Sequence, residues 1–113
     1  MPVTMYHNPR CNTSRRTLAL LREKGVEPKI IEYLKTPPSV AELKEILGQL
    51  KLPASRIVRK KEAAAAGIDA EALSEDALIE AMVANPIVIE RPIVISGRKA
   101  ALGRPPEAVL AVL

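Results

Sequence analysis

The first 33 residues constrain the fold more than any other part of the chain. Val3-Thr4-Met5-Tyr6 is a short apolar run, Asn8-Pro9 is a turn pair that stops it, and a helical segment begins near Asn12 or Thr13. Leu18 and Leu21, with Thr17, Ala19 and Leu20 around them, supply a helical apolar face, and Gly25 after Lys24 is a C-terminal stop. Lys29-Ile30-Ile31-Glu32-Tyr33 then reads as a second strand. Strand, helix and strand in so short a space make a βαβ unit, whose crossover forces the two strands to run parallel. The helix starts at the carboxyl end of the first strand, the edge of an open α/β sheet where ligands bind. Cys11 falls at that strand-to-helix turn.

The remaining segments extend this unit. Thr36-Pro37-Pro38-Ser39 breaks the chain, and Ser39 with Glu42 has capping-box spacing ahead of a helix with Val40, Leu43, Ile46, Leu47 and Leu50 on one face, ended by Pro53. Ala54 to Val58 predicts a short helical turn, Arg59-Lys60-Lys61-Glu62 a solvated charge run, and Ala63 to Gly67 a small-residue linker. Ser74-Glu75-Asp76 opens another helix, with acidic residues at its positive end and Leu78, Ile79, Met82 and Val83 as its apolar face, closed by Asn85-Pro86. Ile93 to Ile95 and Lys99 to Leu102 predict a β-hairpin, and Gly103-Arg104-Pro105-Pro106 leads into a short terminal helix. The order points to a single α/β domain over residues 1–113: a thioredoxin-like mixed sheet of about four strands with flanking helices, and residues 36–86 as a helical insertion.

Composition narrows the chemistry. A chain of 113 residues buries roughly two-thirds of its unfolded surface, and with no Trp or Phe and only two Tyr its core must be Leu, Ile, Val and Ala. The single Cys excludes an internal disulfide, and no apolar run approaches the ~20 residues of a membrane span. With no secretory pattern at the N-terminus, a cytoplasmic protein is expected, with no membrane partner. Residues 1–62 carry 13 basic and 6 acidic side chains, residues 63–113 carry 4 and 7. The half that seeks anions is therefore the half with Cys11. Aromatic interleaving and known nucleic-acid-binding patterns are absent, so a nucleic-acid partner is not expected, and a small oxyanion fits better.

The stretch Tyr6-His7-Asn8-Pro9-Arg10-Cys11-Asn12-Thr13-Ser14-Arg15-Arg16 contains the chain's one cysteine and one histidine. A thiolate is the nucleophile, and a free Cys near pKa ~8.5 is mostly thiol at neutral pH, so a reactive site must lower that value. The unpaired N–H groups of a first helical turn, at Asn12 and Thr13, favour negative charge on the sulfur and would hold an oxyanion against it, and Arg10, Arg15 and Arg16 add positive potential. Ser14, one turn up, either donates to the thiolate or caps the turn. His7, at the strand end, reads as bonded to backbone, with assistance to proton transfer as the functional alternative. Ser14 occupies the second position of a Cys-x-x-Cys pair, so redox turnover must use thiols from outside. One Cys and one His fall short of the four ligands of a structural zinc site, so no metal is expected.

Five ordered blocks resemble the glutaredoxin-coupled arsenate reductases: Tyr6 to Arg15, Glu32-Tyr33-Leu34-Lys35-Thr36-Pro37-Pro38, Val58-Arg59-Lys60-Lys61-Glu62, Arg91-Pro92-Ile93-Val94 and Gly103-Arg104-Pro105-Pro106-Glu107. The resemblance covers essentially the whole chain. It implies that Cys11 attacks arsenate to form a covalent thiol adduct, that glutathione then acts as co-substrate with no tightly bound cofactor, and that glutaredoxin resolves the mixed disulfide as arsenite leaves. It also implies that His7 and Ser14 assist, that Arg59, Arg91 and Arg104 bind the oxyanion, which replaces the solvated reading of Arg59, and that the Arg91–Pro92 bond is cis. Guanidinium forks and a helix N-terminus suit a tetrahedral oxyanion. Asn12 stands where the family has glycine, adding a side chain beside the anion site. Relatives that resemble glutathione-dependent thiol/disulfide reductases, and regulators that bind RNA polymerase, share the Cys-x-x-Ser pattern and the fold. The regulators' switch, where present, uses Cys-x-x-Cys, which Ser14 forbids; a pure disulfide reductase would not need all three arginines.

Overall fold

A computed structural model describes residues 2–113. The chain divides into two compact units, one running to Thr36 and resuming at Arg91–Leu113, the other Pro37–Glu90. No helix of the described residues is long and apolar enough to cross a membrane.

The first unit is the sheet. Strand β1 (Val3–His7) leads through a turn into helix α1 (Asn12–Glu23), which returns to β2 (Lys29–Glu32); β3 (Ile93–Ser96) and β4 (Lys99–Leu102) form the hairpin. The strand order is β2-β1-β3-β4. β1 pairs parallel with β2, setting Met5 against Ile30, and antiparallel with β3, setting Met5 against Val94. The mixed sheet of four strands expected from the sequence is therefore present, with the crossover helix enforcing its parallel edge. The hairpin loop is Gly97-Arg98, and Gly97 at φ 62° supplies the positive φ that a tight two-residue turn requires. β2 stops one residue short of the expected Tyr33, which is buried beyond the strand end.

Side chains two apart on β1 share a face, so Val3 and Met5 meet α1 together. They join Leu18 and Leu21 of α1, Val94 of β3, and Val109 and Val112 of the terminal 3-10 helix Pro106–Val112 in one apolar cluster. Met5, Leu21, Val94 and Val109 are fully buried, and each such side chain contributes ~1.5–3 kcal/mol of transfer free energy. This cluster clamps α1 to β1 and fixes where the helix begins.

The second unit is helical. α2 (Val40–Leu50) has the full Ser39–Glu42 capping box. It ends before Pro53, with Lys51 in the left-handed conformation. A 3-10 turn (Ala54–Ile57) follows, then α3 (Lys60–Ala65), α4 (Glu75–Ala84) and a 3-10 turn at Pro86–Val88. The segment expected to be a charge run and linker is thus partly helix, because Ala63 to Ala65 are the best helix formers and follow a Glu in the first turn. The unit reaches Glu90 because Val58 and Ile89 form an antiparallel bridge and the Glu90 N–H donates to the Ile57 carbonyl at 2.7 Å.

Candidate active site

Cys11 is the N-cap of α1, with extended backbone angles. A β1 that ends at His7 and a helix that begins at Asn12 leave four residues to turn the chain, and Asn8 organises them. Its carbonyl accepts the Cys11 N–H at 3.0 Å and its side-chain oxygen accepts the Arg10 N–H at 3.0 Å. Asn8 is itself buried. The sequence marked it only as a turn residue, and this anchoring role was not read from it. On the other side Arg15 reaches back, donating to the Pro9 carbonyl at 2.9 Å and to Asn12 Oδ1 at 3.1 Å. The Asn12 side chain is therefore held by Arg15.

His7 and Ser14 lie beneath this loop. Ser14 is fully buried, its Oγ 2.6 Å from His7 Nδ1, and it also accepts the Asn8 N–H at 3.1 Å. The strand-end histidine is bonded to a side chain rather than to backbone, which corrects the simpler reading. The Ser14 hydroxyl serves His7 and the loop. Burial first, and then the positive fields of Arg22 and Arg15, hold the His7 pKa below its ordinary 6.5 against the opposing pull of Glu32, so the ring is neutral near pH 7.

Two arginines from the far end of the first unit close over the sulfur. Arg104 Nη2 lies 3.7 Å from Cys11 Sγ, and Arg104 Nε donates to the Arg91 carbonyl at 2.8 Å. Arg91, buried at 9% exposure, hydrogen-bonds the sulfur as well. Burial alone pushes the Cys11 thiol up. The Ser14 backbone N–H, which falls short of a full capping bond, the Arg91 hydrogen bond and charge, and the Arg104 charge outweigh that effect, so the pKa lies below its ordinary value. Asn12 and Thr13 occupy the first two positions of α1, where backbone N–H groups have no partner within the helix.

The arginines are held by backbone. The Arg91–Pro92 peptide is cis, as the resemblance implies, and so is Arg104–Pro105. Gly103, between β4 and Arg104, donates its N–H to the Pro92 carbonyl at 2.9 Å. A Cβ there would stand 2.6 Å from Pro92 Cγ and 2.6 Å from Oγ1 of the buried Thr17, so only glycine lets this strand end approach α1. The sequence placed Gly103 only in the block ahead of the terminal helix and Thr17 only beside the apolar face of the first helix, and neither position pointed to this contact. The structure therefore brings His7, Cys11, Asn12, Thr13, Ser14, Arg91 and Arg104 together in the first unit. Arg59 belongs to the second, where it donates to Glu62 and, at 2.8 Å, to Glu90. Burial lowers its pKa and the two carboxylates raise it further, so the net shift is upward.

Comparison with known proteins gives a consistent result. The chain is 48% identical to the uncharacterized protein YfgD of Escherichia coli strain K12, over 98% of this chain and 96% of that one. It is 44% identical to an arsenate reductase of Rhizobium meliloti, over the whole of this chain and 82% of that one. The solved structure of an arsenate reductase from Vibrio cholerae superposes with a TM-score of 0.89 at 46% identity, covering 100% of this chain and 98% of that one. A model of the ArsC family matches residues 6–112. With the thiol at the head of α1, the sheet order and the family match in agreement, the chain belongs to the ArsC family of thioredoxin-like proteins.

Proposed function

We propose that the protein reduces arsenate to arsenite at Cys11, with glutathione as co-substrate and glutaredoxin as the resolving partner. The observation that carries this reading is the pair of arginines on the Cys11 sulfur, which makes one place both a thiolate and an oxyanion site. In the first step the thiolate attacks arsenic and one arsenate oxygen leaves as water. A glutathione thiolate then bonds to the Cys11 sulfur as the S–As bond breaks with its electron pair on arsenic, which falls from +5 to +3 and departs as arsenite. The glutaredoxin thiol takes glutathione from the mixed disulfide and returns Cys11 as thiolate. The net reaction converts arsenate and two thiols into arsenite, one disulfide and water.

Arg91 and Arg104 supply charge where the oxyanion sits, joined by the N–H groups of Asn12 and Thr13, and Arg59 is assigned the same role through the family resemblance. Ser14 assists by positioning the loop and the His7 ring, and His7 by taking a proton from the incoming thiol. Since Ser14 leaves Cys11 without a resolving neighbour, the reading requires a thiol-rich compartment, which is the cytoplasm.

The test is a coupled assay in which glutathione reductase reports on glutathione disulfide. With glutathione and glutaredoxin present, NADPH consumption should require arsenate and vanish in Cys11→Ser. Arsenate-independent turnover of a glutathione mixed disulfide would make the protein a thiol/disulfide reductase instead.

A further inference from the structure

A groove of about 550 Å³ runs beside the active site, lined by His7, Pro9, Arg15, Leu18, Ala19 and Arg22. That volume lies in the ~300–1,000 Å³ range of small-molecule sites. Neither Arg91 nor Arg104 lines it, so it is separate from the arginine pair on the sulfur. Its direction follows from helical spacing. Residues three and four apart on a helix share a face, so Arg15, Ala19 and Arg22 continue along α1 the stripe that starts at Cys11. The groove therefore lies on the face of α1 that Cys11 heads, with Pro9 and His7 flanking its Cys11 end.

The charges in the groove differ in character. Arg22 is neutralised by Glu27, with Nη2 to Oε2 at 3.1 Å. Glu32, opposite His7 in the strand register, is paired with Lys35 at 3.6 Å. Among the described residues Arg15 bonds to uncharged oxygens, the Pro9 carbonyl and Asn12 Oδ1, so its positive charge is uncompensated by those contacts. Leu18, Ala19 and Pro9 supply an apolar floor between the two arginines.

We infer that this groove seats the external thiol that serves Cys11, a small thiol whose carrier bears a carboxylate, with the carboxylate at Arg15 and the sulfur at the Cys11 end. The inference rests on the proposed need for an external thiol and adds its place and charge. A ligand so placed lies along α1 while the arginine pair remains open to the oxyanion. His7 also lines the groove and is the neutral base within it.

Arsenate plays no part in the test, so its outcome is independent of whether arsenate is the substrate. The purified protein is reacted with glutathione disulfide, which carries carboxylates, and with 2-hydroxyethyl disulfide, which is neutral; mixed-disulfide formation at Cys11 is followed by mass spectrometry. Each variant's rates are normalised to its rate of alkylation by iodoacetamide, so that altered thiol reactivity cancels. The ratio of the two disulfide rates should fall about three- to five-fold in Arg15→Gln, the range open to one exposed ion pair. Ala19→Glu, which places a negative charge in the groove one turn from Arg15 and neutralises it there, should lower it similarly. Arg16→Gln removes the same charge from outside the groove and should leave the ratio within about 1.5-fold, since one exposed charge acts locally in salt. Equal losses at Arg15 and Arg16, or a wild-type ratio in either groove variant, would overturn the inference.

Discussion

The Arg104 guanidinium stands 3.7 Å from the Cys11 sulfur, 93 residues away in the chain, while its Nε is tied to the Arg91 carbonyl. Arg104 therefore acts on the thiol from a fixed position. Removing its charge in Arg104→Ala should raise the Cys11 pKa and slow iodoacetamide alkylation at pH 7. Because the side chain is solvent-exposed, the effect should be that of an exposed ion pair, ~0.2–1 kcal/mol or about 1.5- to 5-fold in rate. Arg104→Lys, which keeps the charge but not the fork, should fall between. An unchanged pH profile would show that Arg104 does not act on the thiolate.

Ser14 supports the site from below. Ser14→Ala leaves His7 Nδ1 and the Asn8 N–H buried without the oxygen that joins them, at a cost of roughly 1–3 kcal/mol. Urea denaturation should show that loss, and Ser14→Thr, which keeps the hydroxyl, should recover part of it. A neutral result would mean water replaces the hydroxyl without penalty.

His7 gives the fold a pH dependence of known sign. Its pKa is lower folded than unfolded, mainly through burial, so between the two values the unfolded chain binds the extra proton. This contribution is fully present above the ordinary 6.5 and is lost as pH falls through it toward the folded value. Denaturation midpoints between pH 8 and 5.5 should drop on the acid side, above the range where carboxylates titrate, and His7→Asn should flatten that slope. A slope identical in His7→Asn would assign it to other groups.

The parts of the fold legible in the sequence are those fixed by local patterns. Asn8-Pro9, Gly25, the Ser39–Glu42 box and the Gly97 turn each act within a few residues, so β1, α1, α2 and the hairpin were placed nearly as observed. Ala63 to Ala65 were misread as linker because small residues serve both loops and helices, and only their position behind Glu62 decides. Cys11 was legible as a helix-start thiol. Its meeting with Arg91 and Arg104 was not, since it depends on β1 pairing with β3 and on the hairpin register returning Leu102 opposite Ile93. Only the family resemblance pointed to those arginines. The Glu90 partner of Arg59, 31 residues on, was equally invisible.

Gly103 tests whether the arginine positions depend on backbone approach. In Gly103→Ala the new methyl meets Pro92 Cγ and Thr17 Oγ1, both at 2.6 Å, and overpacking of this kind costs about 1–3 kcal/mol. Chemical denaturation should show the loss, and alkylation of Cys11 should slow as Arg104 is displaced. In the Thr17→Ala background one of the two clashes is gone, so the same substitution should cost less there. An equal cost in both backgrounds would rule out the Thr17 contact as its source.

Arg59 presents a competition between partners. Its guanidinium already holds Glu62 and Glu90 within the second unit, whereas the role proposed for it requires an oxyanion. If that role is right, arsenate must compete with a carboxylate. Glu90→Gln then removes one competitor and should lower KM for arsenate with kcat little changed. Arg59→Ala should raise KM by the loss of a charge-assisted hydrogen bond, ~1.5–3 kcal/mol or about 10- to 150-fold. The two substitutions should thus move KM in opposite directions, measured in the coupled assay at saturating glutathione and glutaredoxin. An Arg59 that only braces its own unit would give a different pattern: both substitutions would lower the denaturation midpoint and neither would shift KM.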